Sequence, residues 1–417
     1  MTQNIQQRRV DLDWLRISAF AILILYHTGM FYVADWGWHV KNATTYDWLQ
    51  DLMKLTNPWR MSLLFLLGGM ALAMVRPRQS AWRVAQARTS RLVVPLLFGM
   101  LVVVTPQVYF QAQAAQLVVP SYPQFWLEYL NPHTRLLPEM HTPLGLLTWN
   151  HLWFLPYLWI YSLLVLPLHR PLQALATRLQ PWPLWTLLLL LVSLHIAALW
   201  TLRASHPPSN ALVDDWYNHA KYGLSFLTGY LLVLQGHWWQ RLAQLRWASL
   251  AVALLGYALV VLDNHDMFAD LDDSNLLLQL TYSLCSVLNH WAWLATALGF
   301  AATHWQRPTF DATGQWRRYA SKAILPWYML HQTLIVVLAV KLQSWQLPDG
   351  VEAMLLIVGT VAGCALGYEV LRRIPLLSWL IGAETWAASI RIRARPAVPP
   401  SATQNSTKST AQSASTP

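Results

Sequence analysis

The sequence predicts an all-α, polytopic integral membrane protein with about ten transmembrane helices and both termini in the cytoplasm. Of its 417 residues, 55% are hydrophobic and only 12% are charged, a composition outside the range of soluble globular proteins. Long apolar runs recur along the chain, and basic residues collect in alternate connections between them. The chain is therefore expected to cross the lipid bilayer many times.

Apolar runs of about 20 residues are long enough to cross the hydrocarbon core as helices. The second run contains Arg60 at its outer end, and the fourth is short and contains Pro156, so these two are the least regular. Ten runs are predicted to span the membrane, at 14–33, 58–75, 92–110, 152–168, 184–202, 219–235, 247–263, 279–303, 319–341 and 352–371.

The distribution of lysine and arginine tests these spans, because cytoplasmic connections hold an excess of both. With the N-terminus inside, 21 of the 29 basic residues fall on the cytoplasmic side. The net charge of +10 is then mostly an orientation signal, and no nucleic-acid-binding surface is needed to explain it. Both termini are expected in the cytoplasm.

Composition divides the chain into a transmembrane domain, residues 1–395, and a cytoplasmic tail, residues 396–417, rich in Ser, Thr, Ala, Pro and Gln. Such a tail cannot bury a core and is expected to be disordered. The first run is too long for the core of a signal peptide, so we expect it to stay in the membrane. The two cysteines, Cys285 and Cys364, lie inside apolar runs and indicate neither a disulfide nor a metal framework.

An acidic stretch follows the seventh run and raises the question of a metal site. Its spacing lacks the glycine and the terminal glutamate of an EF-hand loop, so we favour a solvated loop and expect no metal. The stretch holds five aspartates, Asp263, Asp266, Asp270, Asp272 and Asp273.

The first run holds two ionisable residues, Arg16 and His27, in a segment otherwise apolar enough to span the membrane. An arginine at a helix centre costs about 2.5–3.5 kcal/mol, and such residues commonly mark function. Arg16 and His27 lie about 16 Å apart along one helical face, and Asp13 shares that face and can neutralise Arg16. The alternative is that Arg16 reaches the interface and His27 bonds a neighbouring helix.

Arg88 and Arg91 precede the third run on its predicted cytoplasmic side and share a helix face. Guanidinium groups suit phosphate oxygens, so the pair is a candidate site for the phosphates of a nucleotide-bearing donor. The alternative is ordinary anchoring under the positive-inside rule. Asp13 and Arg16 are predicted at the same membrane level, which favours the donor site.

Several motifs follow one another along the chain: the Arg16-to-His27 spacing, Arg88-x-x-Arg91, Trp59-Arg60-Met61 before LLFLLGG, HLWFL from His151, and Tyr328-Met-Leu-His331. Together they resemble the membrane acyltransferase-3 family. Trp38-His39-Val40 and YEVLRRIPLLSWLIG, residues 368–382, resemble its branch of periplasmic glucan succinyltransferases (glucans biosynthesis proteins). The chain departs from the family pattern at Leu67-Gly68-Gly69, where a Ser-Gly pair is usual, and at Gln332, where a second histidine can occur.

The resemblance implies transfer of an acyl group, such as succinyl or acetyl, from cytoplasmic acyl-CoA to a hydroxyl of a periplasmic or cell-envelope glycan, at the cell inner membrane. His27 would deprotonate the hydroxyl, a role that suits imidazole near neutral pH. Asp13 would orient Arg16, and Arg88 and Arg91 would hold the donor phosphates. Acyl-CoA is a donor substrate here, and no permanently bound cofactor is implied. Direct transfer is favoured over an acyl-enzyme, since neither cysteine lies in these motifs.

On the acceptor side, the resemblance suggests His39, His151 and His331 as substrate-binding residues. His151, His290 and His331 suit hydrogen bonds across helices equally well. The sequence leaves the acyl group, the glycan and the oligomeric state open, and a carboxylated acyl group would need a cation that no motif locates.

A transporter or flippase for a lipid-linked sugar is the alternative from another functional class, because it too needs intramembrane charge. The one-sided set of arginines favours the enzyme, since a donor with phosphates requires it and a carrier does not. A purely structural membrane protein would leave Arg16 and His27 without a role.

Overall fold

A computed structural model describes residues 9–268, 275–306 and 313–383. The tail at 396–417 and three of the five loop aspartates, Asp270, Asp272 and Asp273, lie outside the described residues. Within those ranges the chain is helical, and extended pairing is limited to two isolated bridges. The all-α prediction is confirmed.

Fifteen α-helices are described. They are α1 Val10–Tyr32, α2 Trp48–Lys54, α3 Arg60–Val75, α4 Ala81–Phe98, α5 Thr105–Ala114, α6 Tyr122–Leu130, α7 Phe154–Val165, α8 His169–Leu179, α9 Leu184–Leu202, α10 Trp216–Leu234, α11 Gly236–Asn264, α12 Leu276–His304, α13 Gln315–Gln343, α14 Asp349–Leu371 and α15 Pro375–Leu380. A π-helical segment, Gly99–Val103, joins α4 to α5. Short 3₁₀ turns cover Arg76–Arg78, Pro138–Met140 and Asn150–Trp153.

Seven of the described helical segments are long and apolar enough to cross a membrane. One further pair, the turn and helix at Asn150–Val165 followed by α8, qualifies together but bends by 80° at its break. This pair coincides with the short run containing Pro156, which already stood out as irregular. The protein is a multi-pass membrane protein, and the full count of ten spans stays a prediction.

The helices run between two ends of the bundle, which we name by their content. At the loop end, the segment after α1 meets the start of α14, where the Asn42 amide and the Tyr46 hydroxyl donate to the Asp349 carboxylate at 3.0 and 2.5 Å. At the arginine end, Arg317 at the start of α13 donates to Asp13 at the start of α1. The positive-inside rule predicts that the arginine end is cytoplasmic and the loop end external.

Burial separates the helices that surround the interior from those that face lipid. In the 18-residue apolar stretch of α13, 56% of the residues are buried. In the corresponding stretches of α9 and α11, only 11% are buried. Exposed leucines and valines cover these outer helices, as hydrocarbon requires. Among the predicted site residues, Asp13, Arg16 and His27 lie on the interior helix α1 and His331 lies on the interior helix α13.

Helices α3 and α10 cross at a contact that admits no side chain. A Cβ atom built on Gly69 would lie 2.0 Å from the carbonyl oxygen of Phe226, and one built on Gly229 would lie 2.0 Å from that of Leu66. Glycine permits this approach, as at other small-residue crossings in membranes. The Leu67-Gly68-Gly69 departure from the family pattern thus lies at a helix crossing.

Candidate active site

Histidines from three parts of the chain meet inside the half of the bundle nearer the loop end. The His331 ring, on α13, has its centre 5.2 Å from that of His27, on α1. The ring of His151, which belongs to the 3₁₀ turn before α7, also has its centre 5.2 Å from that of His331. Phe20 contacts His331 edge to face at 5.5 Å. The structure therefore brings together three histidines that the sequence could only name separately.

Backbone carbonyls define which ring nitrogens carry a proton. His331 Nδ1 lies 2.8 Å from the Tyr328 carbonyl oxygen and must donate to it. His151 Nε2 likewise donates to the Met329 carbonyl at 3.1 Å, while His151 Nδ1 accepts from the Gln107 amide at 3.3 Å. His331 Nε2 is then an unprotonated nitrogen with a free lone pair.

Within this group of three histidines, two buried imidazole nitrogens have no hydrogen-bond partner among the described residues, His331 Nε2 and His27 Nδ1. The His331 side chain is fully buried, whereas His27 is half-buried. Buried polar atoms are normally satisfied, so an unsatisfied pair in adjacent rings is a place where a substrate group can bond. His331 Nε2 can therefore accept a proton or a hydroxyl hydrogen, and His27 Nδ1 can do so in the tautomer that carries its proton on Nε2.

Four amide side chains and one further histidine adjoin these three histidines toward the loop end, and we call them the amide cluster. Its members are His39, Gln107, Gln111, Asn150 and Gln332. His39 Nδ1 donates to Gln111 Oε1 at 2.5 Å, and Gln332 Nε2 donates to His39 Nε2 at 2.8 Å. Gln332 and Asn150 both donate to Gln107 Oε1, at 3.2 and 3.1 Å. Burial lowers the pKa of His39, although its bond to Gln111 acts in the opposite direction, so His39 is neutral at pH 7. The cluster therefore offers neutral donors and acceptors.

The π-helical segment places part of this cluster. A π turn adds a residue and rotates the helix that follows it, which here is α5 with Gln107 and Gln111. Backbone carbonyls of the π segment accept hydrogen bonds from side chains elsewhere in the chain. Thr333 Oγ1 donates to the Val103 carbonyl at 2.7 Å, and the Tyr129 hydroxyl donates to the Met100 carbonyl at 2.8 Å. The two glutamines are not among the site residues predicted from the sequence, although polar residues within and just beyond the apolar run 92–110 were a usable signal.

The predicted donor arginines lie toward the arginine end. Arg16 Nη2 donates to the Leu67 carbonyl of α3 at 3.1 Å. Arg88 lies close enough to Arg16 and Arg91 for their charges to repel it, so the three form one basic group. The Arg88 side chain makes no hydrogen bond or ion pair with any described residue. Its guanidinium group is available to a ligand.

The two residues inside the Arg88-Thr-Ser-Arg91 motif fix its position. The Trp159 indole of α7 donates to Thr89 Oγ1 at 2.9 Å, and the Trp379 indole of α15 donates to Ser90 Oγ at 3.1 Å. The hydroxyls therefore attach α4 to its neighbours, which holds the flanking arginines in place.

Asp13 was predicted to orient Arg16. In the structure, Asp13 Oδ2 accepts from Arg317 Nη1 at 2.5 Å, and both side chains are about nine-tenths buried. Arg317 was counted in the sequence only as a cytoplasmic charge. A pairing between residues 304 positions apart leaves no local signal.

A family model covers the part of the chain that forms this arrangement. The model of the acyltransferase domain Acyl_transf_3 matches residues 9–369, which contain every predicted site residue. The chain belongs to the acyltransferase-3 family. As a member of that family, it is a membrane acyltransferase. No curated protein and no solved structure gives a match.

Proposed function

We propose that this acyltransferase moves an acyl group from cytoplasmic acyl-CoA to a hydroxyl of a periplasmic or cell-envelope glycan, at the cell inner membrane. The observation that carries the proposal is the position of the His27 and His331 pair. Its two unsatisfied nitrogens lie between a basic group at one end of the bundle and a neutral amide cluster nearer the other. A phosphate-bearing donor and a hydroxyl-bearing acceptor need those two surroundings.

The donor would bind at the arginine end. Coenzyme A carries phosphates, for which guanidinium groups are the best-matched partners. Arg88 and Arg91 supply two such groups on one face of α4, and Arg16 adds a third on α1. The thioester would then extend along α1 toward His27, about 16 Å beyond Arg16.

The chemistry assigned to His27 is general-base catalysis. The acceptor hydroxyl gives its proton to the imidazole as its oxygen bonds to the thioester carbon, and the C–S bond then breaks. The proton passes to the departing thiolate, which leaves as coenzyme A. His331, whose tautomer is fixed by Tyr328, presents a second proton acceptor beside His27.

The acceptor would bind at the amide cluster. Sugar hydroxyls both donate and accept hydrogen bonds, and the side chains of Gln332 and Gln107 do the same. Gln332 Oε1 is buried without a partner among the described residues, which leaves one acceptor for a ligand hydroxyl.

The test is mass spectrometry of envelope glycans from cells with and without the chain. We expect one glycan to gain the mass of an acyl group only when the chain is present, and that mass identifies acyl group and acceptor together. Cells that express His27→Ala at equal membrane abundance should lack the added mass. Unchanged glycan masses in all strains would reject the proposal and favour transport.

A further inference from the structure

Another flank of His27 is basic. Arg60, the first residue of α3, holds its guanidinium carbon 3.2 Å above the centre of the Tyr26 ring. The Tyr26 ring in turn meets the His27 ring edge to face, with centres 5.9 Å apart. Arg60 is thus separated from the proposed base by one aromatic ring.

Two further cations continue from Arg60 to the loop end. Lys221 lies one turn into α10, 5.4 Å from the ring centre of Tyr222, and Tyr222 stacks on Phe65 of α3. Arg203 is exposed where α9 ends. The charges of Arg60 and Arg203 both repel that of Lys221, so the three form a basic track from the loop end toward His27.

No carboxylate neutralises the inner part of this track. Among the described residues, the Lys221 ammonium group forms neither a hydrogen bond nor an ion pair, and Arg60 Nε is buried without a partner. Arg60 Nη1 donates to Asn57, an amide rather than an acid, at 2.9 Å. Asp215, at the start of α10, already accepts from Tyr157, from Asn218 at 2.9 Å and from the amides of Ser209 and Asn210.

Uncompensated cations at membrane depth are costly and are retained where a ligand neutralises them. The surroundings of Arg60 are also held in place. His290 Nδ1 of α12 donates to the carbonyl of Pro58, two residues before Arg60, at 2.9 Å. The centre of the His195 ring lies 5.0 Å from that of the His290 ring, and His195 Nδ1 accepts from the Trp291 indole at 3.1 Å. The backbone next to Arg60 is thereby held in place by α12.

We propose that Arg60 and Lys221 bind an anionic substituent, a phosphate or a carboxylate, on the acceptor, so that the enzyme acylates anionic glycans. The inference rests on the proposed function. The track begins at Arg203 on the loop end, where the acceptor enters, whereas the donor comes from the opposite end. The neutral amide cluster would hold sugar hydroxyls while the cations hold the charged substituent.

The first experiment separates charge on the acceptor from charge on the acyl group. Acylated glycans are isolated from cells that express the chain, and mild alkali then removes the ester. We expect the deacylated glycan to remain bound to an anion exchanger, and phosphate and uronate assays to identify the charged group. A glycan that is neutral after deacylation would overturn the inference alone. Absence of any acylated glycan would overturn it together with the proposed function.

The second experiment assigns the residues. Glycans from cells without the chain are divided into anionic and neutral pools and offered to the purified full-length protein in lipid discs. Arg60→Gln and Lys221→Met should each raise KM for the anionic pool roughly tenfold or more, with KM for acyl-CoA unchanged. Lys221→Arg should keep most of the affinity, because the charge remains.

Lys341→Met serves as the matched control, since Lys341 is an exposed basic residue at the loop end of α13. This variant should behave as wild type with both pools. The inference fails if Arg60→Gln and Lys221→Met raise KM equally for neutral and anionic pools. It fails equally if they change only the choice between succinyl-CoA and butyryl-CoA, which would place the bound carboxylate on the acyl group.

Discussion

Asp13 and Arg317 form a buried ion pair of 2.5 Å across 304 positions of sequence. Asp13 lies on α1 and Arg317 on α13, the two helices that carry His27 and His331. The pair joins those helices at the arginine end, while the imidazoles meet at 5.2 Å farther along. The ion pair therefore fixes the position of α1 along α13. That position in turn aligns the His27 ring with the His331 ring.

We predict that Asp13→Asn or Arg317→Gln lowers the free energy of unfolding by about 3 kcal/mol and also lowers activity, because one charge stays buried without its partner. Thermal unfolding of purified protein and the transfer rate measure the two effects. Arg372→Gln removes a partly exposed pair with Glu369 and should change neither by much. Wild-type unfolding temperatures for both Asp13→Asn and Arg317→Gln would contradict the structural role.

Removing the base should separate chemistry from folding. His27→Ala should leave membrane abundance unchanged and lower kcat by at least about a hundredfold, because general-base catalysis commonly contributes that much. His331→Ala should lower kcat less, with KM for acyl-CoA unaltered, since His331 lies beside His27 and is not one of the arginines of the proposed donor site. Quantified immunoblots and initial rates test both variants. Full activity in His27→Ala would remove it as the base.

The Arg88 and Arg91 pair should be sensitive to replacement by lysine. Arg88→Lys and Arg91→Lys keep the charge but lose the two-pronged geometry that matches phosphate, so KM for acyl-CoA should rise about tenfold. The assay titrates the donor at saturating acceptor. Arg83→Lys, an exposed change on the same helix, provides the control. If the donor KM of both variants equals that of the control, the pair only anchors the helix.

The crossing of α3 and α10 predicts that alanine substitutions at two glycines of α10 differ strongly in their effect on stability. Gly229→Ala would place a methyl group 2.0 Å from the Leu66 carbonyl oxygen, whereas a Cβ at Gly223 meets nothing within 4 Å. Gly229→Ala should therefore cost about 1–3 kcal/mol by forcing the helices apart, and Gly223→Ala should be silent. Thermal unfolding compares them. Equal stability of the two variants would show that the crossing is looser than described.

Membrane orientation can be tested with reporters. A fusion after Arg83 should report the cytoplasm and one after Asp270 the external side, because lysine and arginine concentrate in the first region and aspartate in the second. Reporter enzymes that are active on only one side of the membrane provide the measurement. Both fusions reporting the same side would overturn the ten-span prediction.

Much of the site could be predicted where it depends on one helix. Arg16 and His27 share α1, so helical spacing alone relates them, and the same holds for Arg88 and Arg91 on α4. The partner of Asp13 could not be predicted, because Arg317 approaches only when α1 and α13 pack together. Residue roles remain predictions.

The amide cluster marks another limit of the sequence. Gln107 and Gln111 take their orientation from the π segment, and no spacing rule identifies a π turn in an apolar run. The basic track could not be predicted either. Arg60 and Lys221 lie on two different helices and Arg203 follows a third, and each is an ordinary charge near a membrane surface in the sequence.

The helical segment Ala81–Ala114 is 34 residues long. At about 1.5 Å per residue it measures roughly 50 Å, against about 30 Å for the hydrocarbon core. With the span predicted at 92–110, residues 81–91 are expected outside the hydrocarbon core, and Arg88 is only two turns from the segment's first residue. A nucleotide held there would remain in the aqueous phase throughout the reaction. The cell would then export only the acyl carbon skeleton, and its coenzyme A would never leave the cytoplasm.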